Sequence, residues 1–309
     1  MNVQEKQNLH RLMWLANVQQ FFQDKPVSIL WEHYTTWINN RDNFETLYRE
    51  FPLKRLRQLN KAGVERAEIT GILLTFHYGP YRLLPKLLVQ MGYQVTLLVS
   101  GAVLERELNY YRSELEDAGM LQNQLECIDA NEANSLRHIL RAIQHKRLVL
   151  MFMDADEGVG KEKKGIGGQK LAVPFGSHFF YWRTNIFKLA CRFGIPVYCT
   201  FMKRANNAVQ WQIAPFMKIM ETAKGQGEEL MMGAFSALQM AFQQMMQQGW
   251  IYWENWAFIH QYNGQDALGK KGITAKGSWL APFEYNRKKY LFDVKNRQIF
   301  EVAFCFTDS

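Results

Sequence analysis

The chain has 309 residues, 48% of them hydrophobic and 14% aromatic, enough to fill one large core. A net charge of +8 favours an acidic partner: nucleic acid, anionic lipid headgroups or an acidic carrier protein. The four cysteines, Cys127, Cys191, Cys199 and Cys305, have no paired or CxxC spacing. This argues against a zinc or disulfide framework and for small core residues in a reducing compartment.

Residues 1–67 read as a helical N-terminal layer, rich in aromatic residues: Trp14, Phe21, Phe22, Trp31, Tyr34 and Trp37. Apolar periodicity of this kind reports burial first, and a membrane-facing or substrate-covering surface second. The opening residues lack a secretory pattern. No stretch reaches the roughly 18 apolar residues of a membrane span. A cytoplasmic location follows, with any membrane contact peripheral to the inner membrane.

From Glu68 the texture changes to an alternation that predicts an α/β domain over 68–265. The segments "ITGILLTF", "QVTLLVS", "LECID" and "RLVLMFMD" read as strands. Between them, "YRLLPKLLVQMG", "ERELNYYRSELEDAG" and "SLRHILRAIQHK" read as helices, the first starting near Pro80. "WRTNIFKLACRFG" reads as a further helix, "PVYCTFMKR" and "AVQWQIAPFM" as strands. The Met- and Gln-rich "GEELMMGAFSALQMAFQQMMQQG" reads as a core helix with a polar outer face. This order implies a mixed, largely parallel sheet flanked by helices. Residues 266–309 form a β-rich C-terminal extension, with a hairpin predicted around Lys295-Asn296.

The loop "GKEKKGIGGQK" is biased toward lysine and glycine. It fits neither the P-loop nor the dinucleotide fingerprint, so nucleotide binding is rejected; nucleic acid is separately not among the expected partners. It reads as a solvated segment, a lid or an anion-docking site. His77 ends its strand ahead of a helix, at the carboxyl edge where open α/β sheets bind ligands. Its ordinary pKa suits a general base near neutral pH. His178 is a second candidate, whereas His138 and His145 read as surface residues.

The series "FHYGPYR", "LMFMDAD", a glycine-rich loop, "AVPFGSHFFYWRTNIFKLACRFGIPV" and "WIYWENWAFIH" resembles the lipid A biosynthesis lauroyl/myristoyl acyltransferases. These belong to the lysophospholipid acyltransferase superfamily, and the resemblance covers roughly residues 68–260. It implies a glycerolipid acyltransferase-like fold with His77 as the catalytic base and Tyr78 and Gly79 beside it. Asp154 takes the place of a strand-end aspartate. Val173, Pro174, Phe175 and Gly176 match a substrate-contacting segment, and Thr184, Leu189, Ala190, Gly194 and Pro196 the helix and strand after it. Arg183 joins the substrate-binding candidates. Trp253, Glu254 and Trp256 occupy a C-terminal tryptophan motif.

Three of the motifs depart from the pattern, and the N-terminal hydrophobic anchor usual in the family is not expected here. Arg82 stands where the His-x4-acid motif has its carboxylate, Asn185 replaces a glycine, and Phe258, Ile259 and His260 replace a basic pair. A guanidinium accepts no hydrogen bond and lowers a neighbouring histidine's pKa, so it cannot replace that acid. Three readings stay open. His77 can remain the base with Asp154, Asp156 or Glu254 orienting it, which leaves Arg82 for a substrate carboxylate or phosphate. The fold can serve hydrolysis, or the chain can be an inactive binding subunit.

The first reading is the expectation. An acyl group would pass from a phosphopantetheine thioester, on an acyl or peptidyl carrier protein or coenzyme A, to a hydroxyl or amine of a small-molecule acceptor. Backbone amides near Gly79, or the Val173–Gly176 segment, would hold the oxyanion. Lys161, Lys163 and Lys164 would dock the carrier. No cofactor or metal is expected.

Overall fold

The computed structural model describes residues 3–59, 68–154, 170–176, 178–204, 211–221, 227–259, 280–285, 288–295 and 298–301. Three helices come first: α1 (Val3–Phe21), α2 (Val27–Glu50) and α3 (Leu53–Leu59). Strands and helices then alternate as β1 (Gly71–Thr75), α4 (Leu83–Gln90), β2 (Val95–Val99), α5 (Gly101–Asp117), β3 (Leu125–Asp129), α6 (Ser135–Gln144) and β4 (Leu148–Phe152). β5 (Lys170–Phe175) pairs antiparallel with β6 (His178–Arg183), and α7 (Asn185–Phe193) follows. β7 (Val197–Cys199), β8 (Met202–Arg204), β9 (Trp211–Ile213) and β10 (Met217–Met220) lead to α8 (Gly227–Gly249). Two 3-10 turns, Trp250–Tyr252 and Glu254–Ala257, come next. A three-stranded antiparallel sheet of β11 (Leu280–Tyr285), β12 (Lys288–Asp293) and β13 (Gln298–Glu301) is the last described element.

The main sheet has the order β10-β7-β1-β4-β2-β3 and is parallel except for β10, which pairs antiparallel with β7. Central β1 is buried along its whole length, as a strand covered on both faces must be. Its alternate residues feed two cores. Ile72, Leu74 and Phe76 face α1, α7 and α8, where Trp14, Phe187 and Phe242 are fully buried. Leu73 faces α4 and α5, against Leu84, Leu88, Tyr111 and Leu115.

The alternation of strands and helices over 68–154 matches the sequence expectation, and the differences lie at junctions. α4 begins at Leu83 rather than near Pro80, because residues 79–83 make a compact turn of their own. In it Tyr81 N–H donates to the Gly79 carbonyl at 2.8 Å and Leu83 N–H to that of Pro80 at 3.0 Å. Trp182 and Arg183, expected in a helix, end β6; the aromatic run "HFFYW" favours a pleated surface. "PVYCTFMKR" and "AVQWQIAPFM" each divide into two strands, and Thr200 ties the breaks together by donating its hydroxyl to the Ala214 carbonyl at 2.7 Å. The hairpin across Lys295-Asn296 gains a third strand, β11.

The first helices are built into the core. Trp14, Phe21 and Trp37 are buried, while Trp31 stays 40% exposed. α8 buries Met231, Leu238, Phe242, Met245 and Met246. Phe283, Phe292 and Val294 belong to the same apolar cluster, so the C-terminal strands share the core of the α/β unit.

Candidate active site

β1 and β4 are neighbours in register, with Gly71 opposite Leu148 and Thr75 opposite Phe152. Two residues beyond that pairing, on the same side of the pleat, stand His77 and Asp154. The chain leaves β1 for β2 on one side and β4 for β7 on the other, so the two residues sit where the strand order switches direction. Open α/β sheets place their ligand crevices at such points.

The two side chains meet. His77 Nδ1 lies 2.9 Å from Asp154 Oδ1, and the His77 backbone amide donates to the same carboxylate at 2.9 and 3.1 Å. Asp154 has no exposed side-chain surface, whereas His77 keeps 21%. The imidazole stacks on Phe152 (centroids 4.4 Å apart) and meets Tyr81 edge to face. Among the described residues nothing bonds Nε2, so one ring nitrogen is committed to the carboxylate and the other is unused on a ring that stays partly exposed.

The tryptophan segment closes over this pair. Trp253 Nε1 donates to Asp154 Oδ2 at 2.6 Å, and Asn255 Nδ2 donates to the Asp154 carbonyl at 2.8 Å. The Glu254 amide donates to the His77 carbonyl and the Gly79 amide to the Tyr252 carbonyl, both at 2.9 Å. Gly79 holds φ +60°, and a Cβ there would run into the Trp211 ring, so the turn requires glycine. α2 and α1 brace the segment from behind. Trp37 Nε1 donates to the Trp253 carbonyl at 2.9 Å and Asn17 Nδ2 to the Trp256 carbonyl at 2.7 Å.

Burial of His77 pulls its pKa down. The Asp154 charge and hydrogen bond, with lesser help from Glu254 and Glu107, outweigh that and raise it above the ordinary 6.5. Glu254 is 3.6 Å from Arg41 and takes a hydrogen bond from the Tyr81 hydroxyl. Burial and this carboxylate hold the Tyr81 phenol well above its ordinary pKa, so it stays a donor.

The carboxylate that meets His77 therefore comes from the neighbouring strand and not from position 82, the fifth after His77. Arg82 turns to other partners. Its guanidinium lies 3.3 Å from Glu107 and 4.0 Å from Glu45, between the rings of Tyr48 and Tyr110. One turn on, fully buried Lys86 donates to the Phe51 carbonyl, the Tyr110 hydroxyl and Glu114, at 2.9–3.2 Å. Glu107 was missed in the sequence, yet a signal exists: it shares the 107/111/115 stripe with buried Tyr111 and Leu115.

Other candidates lie elsewhere. Tyr78 is 1% exposed and packs among Phe201, Trp211 and Tyr252, so its ring is core, on the opposite side of the pleat from His77. Val173 is fully buried, and Phe175 packs on Phe21, Phe22, Phe242 and Trp256, a layer behind Trp253. Pro174 is exposed on β5, and Gly176, at φ +54°, abuts the Phe21 carbonyl. Arg183 ends β6 across from Lys170, and the backbone of His178 pairs with Phe175. His138 and His145 are exposed, as expected. Asp156, Lys161, Lys163, Lys164 and His260 lie outside the described residues.

The amides near Gly79, expected to hold an oxyanion, are all engaged. His77 N–H goes to Asp154, Tyr78 to the Phe76 carbonyl, Gly79 to Tyr252 and Tyr81 to Gly79. Arg82 N–H bonds the Tyr48 hydroxyl, and Leu83 and Leu84 close the turn. Among the described residues no group of His, Cys, Asp and Glu is arranged to hold a metal ion, and no helix is long and apolar enough to cross a membrane. No protein-family model matches the chain, and no curated protein is detectably similar to it.

Proposed function

We propose that the protein is an acyltransferase in which His77, oriented by Asp154, is the general base. The observation that carries this is the ordering of the imidazole: Nδ1 is fixed on a buried carboxylate, and Nε2 has no partner among the described residues on a partly exposed ring at the strand-order switch. The Nδ1–H tautomer follows from that hydrogen bond, which gives Nε2 the lone pair. Nε2 takes the proton of an acceptor O–H or N–H as the acceptor's heavy atom bonds to a thioester carbonyl carbon. The tetrahedral intermediate then collapses, the C–S bond breaks, and the imidazolium returns its proton to the departing thiolate. Asp154 stabilises the transient imidazolium without itself changing protonation.

The resemblance of the motif series to lipid A acyltransferases supports the acyl-transfer chemistry and a phosphopantetheine thioester as donor. The +8 net charge and the lysine-rich loop with Lys161, Lys163 and Lys164 support an acidic carrier protein as its source. A lipid acceptor is the second reading. Ile29 and Trp31 at the start of α2 are 41% and 40% exposed, with the Arg11 guanidinium 4.2 Å from the Trp31 ring centre.

Acyl-coenzyme A mixed with hydroxyl and amine acceptors, read by intact mass, tests the proposal. His77→Gln is expected to lower product formation about 10²- to 10⁴-fold. Equal product from both proteins removes His77 as the base. Free acid formed at the same rate without any acceptor replaces transfer by hydrolysis.

A further inference from the structure

Asp154 is shared. Its Oδ1 accepts His77 Nδ1 and the His77 amide, and its Oδ2 accepts that amide and, at 2.6 Å, the indole N–H of Trp253. The carboxylate has no exposed surface, so these protein donors divide its charge among themselves with no bulk water to even out a loss. An indole N–H only donates and does not titrate in water, so it relays no proton. It can, however, draw electron density toward Oδ2 and away from the side facing the imidazole.

The indole is also held in place. Trp253 is 1% exposed, packs edge to face on Phe242 and Trp256, and has its carbonyl bonded by Trp37. Trp37 and Trp256 donate their own indole N–H groups to backbone carbonyls. Trp253 donates instead to the charged group beside His77. We propose that Trp253 is a positioning residue that sets the proton affinity of His77 by holding Oδ2 of Asp154.

The other groups facing His77 are Glu254 from the last 3-10 turn, Glu107 from α5 and Tyr81 from its own turn, with Arg82 neutralising Glu107. The indole N–H bonds to none of these, so its removal acts through Asp154. Without that donor the carboxylate charge concentrates on the imidazolium, protonated His77 is favoured, and less neutral base exists at pH 7.

NMR titration of the imidazole Cε1–H signals tests this without any substrate. The seven histidines are sorted by the signal lost in His77→Gln. Trp253→Phe removes the donor, and replacement of Trp253 by benzothienylalanine removes the N–H while keeping the ring shape. Both are expected to raise the His77 midpoint by about half a pH unit or more, the scale of a hydrogen bond to a charged group. Trp37→Phe, which perturbs the same packing layer, is expected to leave it in place. An unchanged or lowered midpoint in the benzothienylalanine protein overturns the proposal. Failure of that protein to fold overturns it too, because the bond is then a requirement of folding.

The chemistry of His77 enters only through the acyl-transfer reading. If that reading holds, the acid limb of the rate profile moves up with the NMR midpoint. If it fails, the midpoint still decides the role of Trp253.

Discussion

Two buried polar networks flank the turn after β1. Around Arg82 and Lys86, each cation has carboxylate, carbonyl or aromatic partners, and α2, α4 and α5 are tied together. Around Asp154 the donors also converge, but the histidine they hold is partly exposed and keeps one nitrogen unbonded among the described residues. Both networks lie beside the turn that carries His77 and Arg82. The first ties its cations to protein partners; in the second, one ring nitrogen has no partner among the described residues, which is what base chemistry requires.

Asp154→Asn breaks the contrast most deeply. Without the carboxylate, the burial that lowers the His77 pKa is no longer opposed by its largest counterweight, so the NMR midpoint falls from above 6.5 toward or below it. Transfer activity is expected to fall about 10²- to 10⁴-fold, because the imidazolium loses its stabilising partner. Stability shifts in the same experiment. With the raised folded pKa, the contribution of His77 is complete below its unfolded pKa near 6.5 and is lost as pH rises through the folded value. The Asn variant is expected to lose that decline in a pH series of denaturation midpoints.

Lys86→Met tests the first network. Removing the fully buried cation leaves the partly buried Glu114 with the Leu53 amide but no counter-charge, at a cost of about 3 kcal/mol in urea unfolding. The His77 midpoint is expected to stay in place. Arg82→Gln is the smallest and the most discriminating change. Arg106 still reaches Glu107 at 3.0 Å, and the site is partly exposed, so a loss of about 1 kcal/mol is expected. If Arg82 serves the ion-pair network alone, KM for an anionic donor is unchanged; a rise of about tenfold or more gives it the substrate-gripping role instead.

The strands, most helices and the place of His77 just past a strand end were legible because each rests on local pattern: apolar runs, periodicity and a residue ending a strand. Asp154 was legible as a strand-end acid, but its contact with His77 depended on β4, and not β2, being the strand that pairs with β1 on that side. Strand order is set by packing across many residues and leaves no local trace. Tyr78 illustrates the reverse error. The resemblance made it a substrate-binding candidate next to His77, while the pleat sends successive side chains to opposite faces. Trp253 was visible as part of a motif, yet its bond to Asp154 spans 99 positions and only the folded chain brings the two together.

The parallel register of β1 and β4 makes the acid's address portable. Wherever two such strands run side by side and end level, a carboxylate on the second is as close to the first strand's histidine as one placed a turn downstream. A lineage holding both can lose either without losing the imidazole's orientation. A signature that demands a fixed four-residue gap would then reject chains whose dyad is whole, whereas one asking for a histidine and an acid at matched strand ends would keep them.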